Sequence, residues 1–173
     1  SPSELKLFCK KASRGTLVLV DEAYNELTTN PDENTMIPLV KEGYKVVVAR
    51  TFSKIYGLAG MRVGYMIADP ELIENISSYG LGDYSLNQAG VAAAIASYND
   101  EQFLRFSKAK IIEAREMLGE AMLKNDLKPL TTSTNFMFVD LGTLNAEKFR
   151  KEMERESILV RGIYQDYVNW SRV

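Results

Sequence analysis

The sequence predicts an α/β protein whose core is a three-layer, mixed and mostly parallel sheet, followed by a smaller α+β lobe at the C-terminal end. Three observations lead there. Leu17 to Val20 and Val46 to Ala49 are short, continuous, β-branched-rich runs, which is how strands covered on both faces read. The segment between them carries helical apolar spacing and is long enough for a right-handed crossover. A long amphipathic stretch then separates this part from a second set of short strands and helices.

The elements follow in order. The first run ends at Asp21, and the connection after Pro31 places Met36, Leu39 and Val40 at helical spacing over Thr35 to Glu42, closed by Gly43. The second run ends near Arg50. A third, Val63 to Ala68, follows a glycine-rich loop and stops at Asp69-Pro70. Its connection is too compact for a full crossover, so it is expected to run antiparallel and make the sheet mixed. Asn87 to Tyr98 is Ala-rich and predicts a buried helix. From Glu101 to Lys124, Leu104, Ile111, Ala114, Leu118 and Ala121 recur at sevens, threes and fours, with Lys and Glu filling the other face. Asn125-Asp126 and Pro129 end that helix, which is expected to bridge two parts: 1–97 and 98–173. Beyond it come a strand over Asn135 to Leu141, a helix capped by Asn145 with Phe149 and Met153 inward, the stretch Ile158 to Arg161, and an extended piece from Trp170 to Val173.

Composition bounds the chemistry. Of 173 residues, 46% are hydrophobic and 25% charged, which suits a soluble protein with a real core. A net charge of -2, with both signs interspersed, gives no nucleic-acid surface. No run approaches the ~20 apolar residues that cross a bilayer. Cys9 is the one cysteine, so an internal disulfide is excluded and a cytoplasmic location is expected. There is no histidine, which removes Ser-His-Asp, Cys-His and His-zinc chemistry from this chain. Catalysis here must fall to Lys, Tyr, Asp, Glu or Arg, with a borrowed cofactor.

Asp21 ends a buried strand, where open α/β sheets bind ligands. Leu-Val-Leu-Val-Asp-Glu also looks like the strand and acidic pair that hold magnesium in nucleotide hydrolases, but no phosphate loop of the G-x-x-x-x-G-K-[ST] form accompanies it. Lys54, in Thr51-Phe52-Ser53-Lys54, should emerge on the same rim as Asp21. Gly57, Gly60 and Gly64 follow, with Arg62 among them, so Ser53 and Arg62 can converge on one anion. Acid, lysine and anion clamp share a natural ligand in pyridoxal phosphate: its aldehyde needs an amine, its ring nitrogen a carboxylate, its phosphate Arg and Ser. Tyr24 could reach the phenolic oxygen, and Ala23 is small enough to lie flat against the ring.

Asp21-Glu22-Ala23-Tyr24 together with Ser53-Lys54-Ile55-Tyr56-Gly57-Leu58-Ala59-Gly60-Met61-Arg62 resembles the fold-type I aminotransferases, and most closely the histidinol-phosphate aminotransferase group. The likeness runs over nearly the whole chain. Ile55 departs from the pattern, which has a small residue there. The resemblance implies that Lys54 is the Schiff-base lysine and Asp21 the partner of the pyridine nitrogen. It gives Tyr24 the phenolic oxygen, and Ser53 and Arg62 the phosphate. It further implies that Arg172, in Trp170-Ser171-Arg172-Val173, grips the substrate carboxylate, and that Arg161 contacts a substrate phosphate; a plain surface arginine is the equal alternative for Arg161. Asn135 resembles a recurrent asparagine with a turn role. By the same resemblance the activity is ping-pong transamination of an amino acid or amino-phosphate, the protein a homodimer, and the chain part of a longer enzyme with both domains incomplete. Decarboxylation on the same fold, a magnesium-dependent nucleotide hydrolase and a non-catalytic fragment stand as alternatives.

Overall fold

In the computed structural model, which describes residues 1–80 and 85–173, the chain divides into two compact units, Ser1–Lys108 and Ala109–Val173. The first begins with helix α1 (Pro2–Ala12), started by a capping box in which Ser1 and Glu4 exchange hydrogen bonds. Strands β1 (Val18–Asp21), β2 (Val46–Thr51) and β3 (Gly64–Ile67) form a sheet in that order. β1 and β2 are parallel, with Val18 opposite Val46 and Asp21 opposite Ala49. β3 is antiparallel to β2, as its short connection requires, with Arg50 opposite Tyr65 and Thr51 opposite Gly64. Gly64 is needed there, because a Cβ would stand 2.8 Å from the Arg50 carbonyl oxygen.

Strand alternation sorts the two faces of this sheet. Val18, Val20, Val46, Val48 and Ile67 pack with Cys9 of α1 and with Met36 and Leu39 into the core of the unit. Leu19 points the other way and is 65% exposed, so the described residues cover one face of β1 only. The crossover is less helical than its spacing predicts. α2 (Pro31–Asn34) and α3 (Ile37–Lys41) are short, and Thr35 lies between them because its hydroxyl is engaged with Glu22 and with the Ile37 amide.

Asp69-Pro70 is more than a stop: Asp69 caps helix α4 (Pro70–Ser77) by accepting from the Glu71 amide. Helix α5 (Gln88–Tyr98) forms where expected, but the expectation that it is buried is corrected. Only Gly90 and Ala94 are buried, while Ile95 and Tyr98 are 62% and 57% exposed. A helix apolar all round reports how much cover it can take, not how much these residues provide. Helix α6 spans Glu101–Lys124, and the division between units falls within it. It ends where Asn125 Nδ2 donates to the Ala121 carbonyl and Asp126 adopts a left-handed φ of 59°.

The second unit is an antiparallel sheet of β4 (Lys128–Pro129), β5 (Phe138–Asp140) and β6 (Trp170–Arg172), with helix α7 (Ala146–Arg155). Met122, Met137, Val139, Leu141 and Ala146 make its core, with Phe149 of α7 packed against them. Asn145 caps α7, accepting from the Glu147 and Lys148 amides. Pro129 forms part of β4, on the edge of the sheet, where its missing N–H is harmless. Among the described residues no helix is long and apolar enough to cross a membrane.

Candidate active site

Because β1 and β2 are parallel and in register to Asp21 and Ala49, their C-terminal ends share one rim. Asp21 leaves β1 on the face away from the core. Its Oδ1 accepts the Ala23 amide at 2.9 Å, an Asx-type turn that fixes the carboxylate and leaves Oδ2 without a hydrogen-bond partner among the described residues. The short helical turn Asn25–Leu27 follows, held by Asn25 Nδ2 on the Pro31 carbonyl. This brings Tyr24 under Lys54, whose Nζ lies 4.9 Å from the ring centroid.

The lysine is set by the end of β2. Thr51 Oγ1 accepts the Ser53 amide at 3.0 Å, and the Phe52 amide bonds the Val63 carbonyl at 3.1 Å. The chain then turns back through Gly57, whose φ of 70° suits glycine and whose amide bonds the Lys54 carbonyl. Arg62 follows the turn Ala59–Met61 in a left-handed conformation, φ 54°, with Nη1 donating to the Ala59 carbonyl at 2.9 Å.

These residues meet. An open cavity of about 350 Å³ is lined by Asp21, Ala23, Ser53, Lys54 and Arg62, with Leu19, Ala49, Arg50 and Thr51. That volume is in the range of small-molecule sites, roughly 300–1,000 Å³. One amine, one carboxylate, and a guanidinium with a hydroxyl thus face a single space beside a methyl-sized side chain. This donor set fits pyridoxal phosphate.

Arg161 and Arg172 lie together in the second unit. The Arg161 amide donates to the Arg172 carbonyl at 3.0 Å, and the two residues form a bridge beside β6. Tyr164 serves both guanidinium groups, at 5.0 Å from that of Arg161 and 6.0 Å from that of Arg172, while Phe136 lies 5.2 Å from Arg172. Neither arginine forms a salt bridge among the described residues, which leaves both available to an anion. Asn135 sits in the bend before β5.

Three supporting features escape a reading of the sequence. Thr51 ties the Ser53 turn, as above. Asn87 Nδ2 donates to the Met61 carbonyl at 2.8 Å while its Oδ1 caps α5 at the Gly90 amide, so the residue before Arg62 is anchored to a helix start. Glu22 and Arg50 form a buried pair on the opposite face from Asp21. Signals for them existed only as a strong N-cap residue at Asn87 and as opposite charges at the ends of two buried strands.

Tyr56, two residues past Lys54, is 6% exposed, with its ring 4.8 Å from that of Phe52. Burial pushes its phenol up to about 12, and the neighbouring Glu26 adds to the shift. An unfolded tyrosine ionises near 10, so this phenol favours folding below pH 10 and the advantage is lost as pH rises from 10 to 12. Denaturant titrations of the whole protein at stepped pH should show stability falling across that window, and Tyr56→Phe should flatten the fall. An unchanged slope in the variant would remove Tyr56 as its source.

A parallel-strand rim that gathers an amine, a carboxylate and a guanidinium with a hydroxyl defines the class: an α/β protein whose site suits a phosphorylated, carbonyl-bearing cofactor. The whole chain, residues 1–173, matches the family Aminotransferase class I and II, and the chain belongs to that family. It is 32% identical over 171 residues to the histidinol-phosphate aminotransferase of Brevibacillus brevis, covering 99% of this chain and 47% of that protein. The corresponding Moorella thermoacetica enzyme is 34% identical over 167 residues, 96% of this chain and 43% of that one. Among solved structures, the Sinorhizobium meliloti histidinol-phosphate aminotransferase in complex with pyridoxal-5'-phosphate superposes with a TM-score of 0.88 at 31% identity, over 99% of this chain and 47% of that one. L-threonine-O-3-phosphate decarboxylase from Porphyromonas gingivalis, at 19% identity and a TM-score of 0.77, shares the fold. The chain spans about half the length of the curated relatives it matches. The family assignment sets aside the nucleotide-hydrolase alternative.

Proposed function

We propose that the whole protein is a pyridoxal-phosphate-dependent aminotransferase acting on an amino acid or an amino-phosphate, in the manner of histidinol-phosphate aminotransferase. The observation that carries this is the convergence of Lys54, Asp21, Ser53 and Arg62 on one cavity. Bound there, the cofactor supplies an electron sink that makes a substrate Cα proton removable. The chain supplies the rest. Lys54 Nζ would hold the cofactor covalently and, once freed by the incoming amine, would carry the proton from the substrate Cα to the cofactor carbon. Asp21 would keep a proton on the ring nitrogen. Tyr24 would meet the phenolic oxygen, Ala23 the ring face, and Ser53 with Arg62 the phosphate. Arg172 would take the substrate carboxylate and Arg161 a second anionic group, since two guanidinium groups without carboxylate partners suit a substrate of high negative charge.

On this reading, residues 1–97 belong to the cofactor-binding domain, and 98–173 to the bridging helix and small domain of a cytoplasmic homodimer. Decarboxylation is the second reading, because the same fold hosts it. The whole protein, loaded with pyridoxal phosphate, should be offered histidinol phosphate and a panel of amino acids against keto-acid acceptors. A keto product with parallel double-reciprocal lines is expected. Carbon dioxide release without a keto product would replace this reading with decarboxylation, and a protein that binds no cofactor would end both.

A further inference from the structure

We infer that Glu22 and Arg50 act as a positioning pair for the active site, setting the spacing between Asp21 and Lys54 from behind the sheet; this rests on the cofactor reading above. Glu22 lies outside the cavity lining; Arg50 is among the lining residues, but it follows Ala49, the residue paired with Asp21, so its side chain leaves on the opposite face. Strand alternation sends Asp21 to one face of β1 and its neighbour Glu22 to the other.

On that hidden face Glu22 is fully engaged. Its Oε1 accepts the Met36 amide at 2.6 Å, and its Oε2 accepts Arg50 Nε at 3.1 Å, Arg50 Nη2 at 2.8 Å and the Thr35 hydroxyl at 2.9 Å. Arg50 Nη1 reaches Glu26 at 3.4 Å. The pair is largely withdrawn from water, with side chains 16% and 5% exposed for Arg50 and Glu22. Such a pair is weak evidence for stability, because well-packed apolar replacements of both partners are often neutral or better. Its place in the fold supplies another reason for it.

The last rung between β1 and β2 is the Glu22 amide on the Ala49 carbonyl, at 2.9 Å. Past that rung the ladder no longer fixes the separation of the two chains. There the Glu22–Arg50 contact takes over, between the residue after Asp21 and the residue that opens the Thr51-to-Lys54 turn. Through Thr35 and Met36 it also ties both strand ends to the crossover. A guanidinium fork fixes angle as well as distance, which a single-point contact does not.

The test is a comparison of Arg50→Met, the double variant Glu22→Met/Arg50→Met, and Arg50→Lys in the whole protein. It reads melting temperature, pyridoxal-phosphate dissociation constant and the absorption spectrum of the bound cofactor. Arg50→Met leaves a buried carboxylate unpaired and is expected to lose stability and cofactor affinity together. The double variant should recover its melting temperature yet still bind cofactor about tenfold more weakly than wild type, with a displaced absorption band. Arg50→Lys, which keeps the charge and loses the fork, should melt near wild type and weaken cofactor binding by several-fold. Recovery of both melting temperature and affinity in the double variant would overturn the inference and leave the pair merely structural. If the double variant fails to fold, an unchanged dissociation constant in Arg50→Lys overturns it equally. Failure of the underlying reading looks different, since wild type itself would then show no cofactor band.

Discussion

Lys54→Ala should abolish the cofactor absorbance that borohydride fixes in the wild-type protein, and it should remove turnover almost entirely. Two losses add. The first is the covalent anchor: with Nζ gone, Asp21, Ser53 and Arg62 still line the cavity, so cofactor binds but washes out on dialysis. The second is proton transfer at the substrate Cα, which a positioned side chain typically accelerates by about 10²–10⁴-fold. Lys54→Arg separates charge from chemistry. It keeps a cation beside the Tyr24 ring, 4.9 Å from Nζ in the wild type, and offers no usable nucleophile. Both variants should therefore fail alike in single-turnover assays, and added small amines should restore part of the proton transfer. A Lys54→Ala protein that keeps a borohydride-stable adduct and normal turnover would show that another amine does the work.

How far such a site can be read from sequence depends on which interactions leave a local trace. β1 and β2 were legible because β-branched runs report burial directly, and the site rim was legible because a parallel pair sends both C-terminal ends the same way. Helix α6 matches its predicted bounds, Glu101 to Lys124, because its apolar periodicity persists over many turns. Two-residue β4 has no periodicity to detect and exists only because β5 offers an edge. Thr35 breaks its predicted helix for the same kind of reason: its hydroxyl serves Glu22, a residue outside its own element. The Asn87 tether crosses 26 positions and Arg50 to Glu22 crosses 28, separations at which single-sequence patterns carry no information. The motif residues were found because their chemistry is unusual in combination. Their supports were missed because each is an ordinary polar residue until its partner is known.

Asp21→Asn should lower turnover by about 10–100-fold while leaving the covalent link to Lys54 intact, the complement of the lysine variants. The two substitutions remove different things. On the proposed function Lys54 would supply the anchor and move the proton, whereas Asp21 would supply the carboxylate that keeps the ring nitrogen protonated. A hydrogen bond to a charged group is worth about 1.5–3 kcal/mol, and each 1.36 kcal/mol of barrier is tenfold in rate, which gives the stated range. Asparagine preserves the geometry well, because its carbonyl oxygen can still accept the Ala23 amide that holds Asp21 Oδ1 at 2.9 Å. The fold should thus be undisturbed, with circular dichroism and melting temperature near wild type. The decisive readout is the substrate deuterium isotope effect. With the electron sink weakened, Cα proton removal becomes more fully rate-limiting, so the effect on kcat should rise in Asp21→Asn with Cα-deuterated donor. Equal isotope effects in variant and wild type, at equal rates, would mean that Asp21 is a strand-ending surface acid and that the ring nitrogen finds its partner elsewhere.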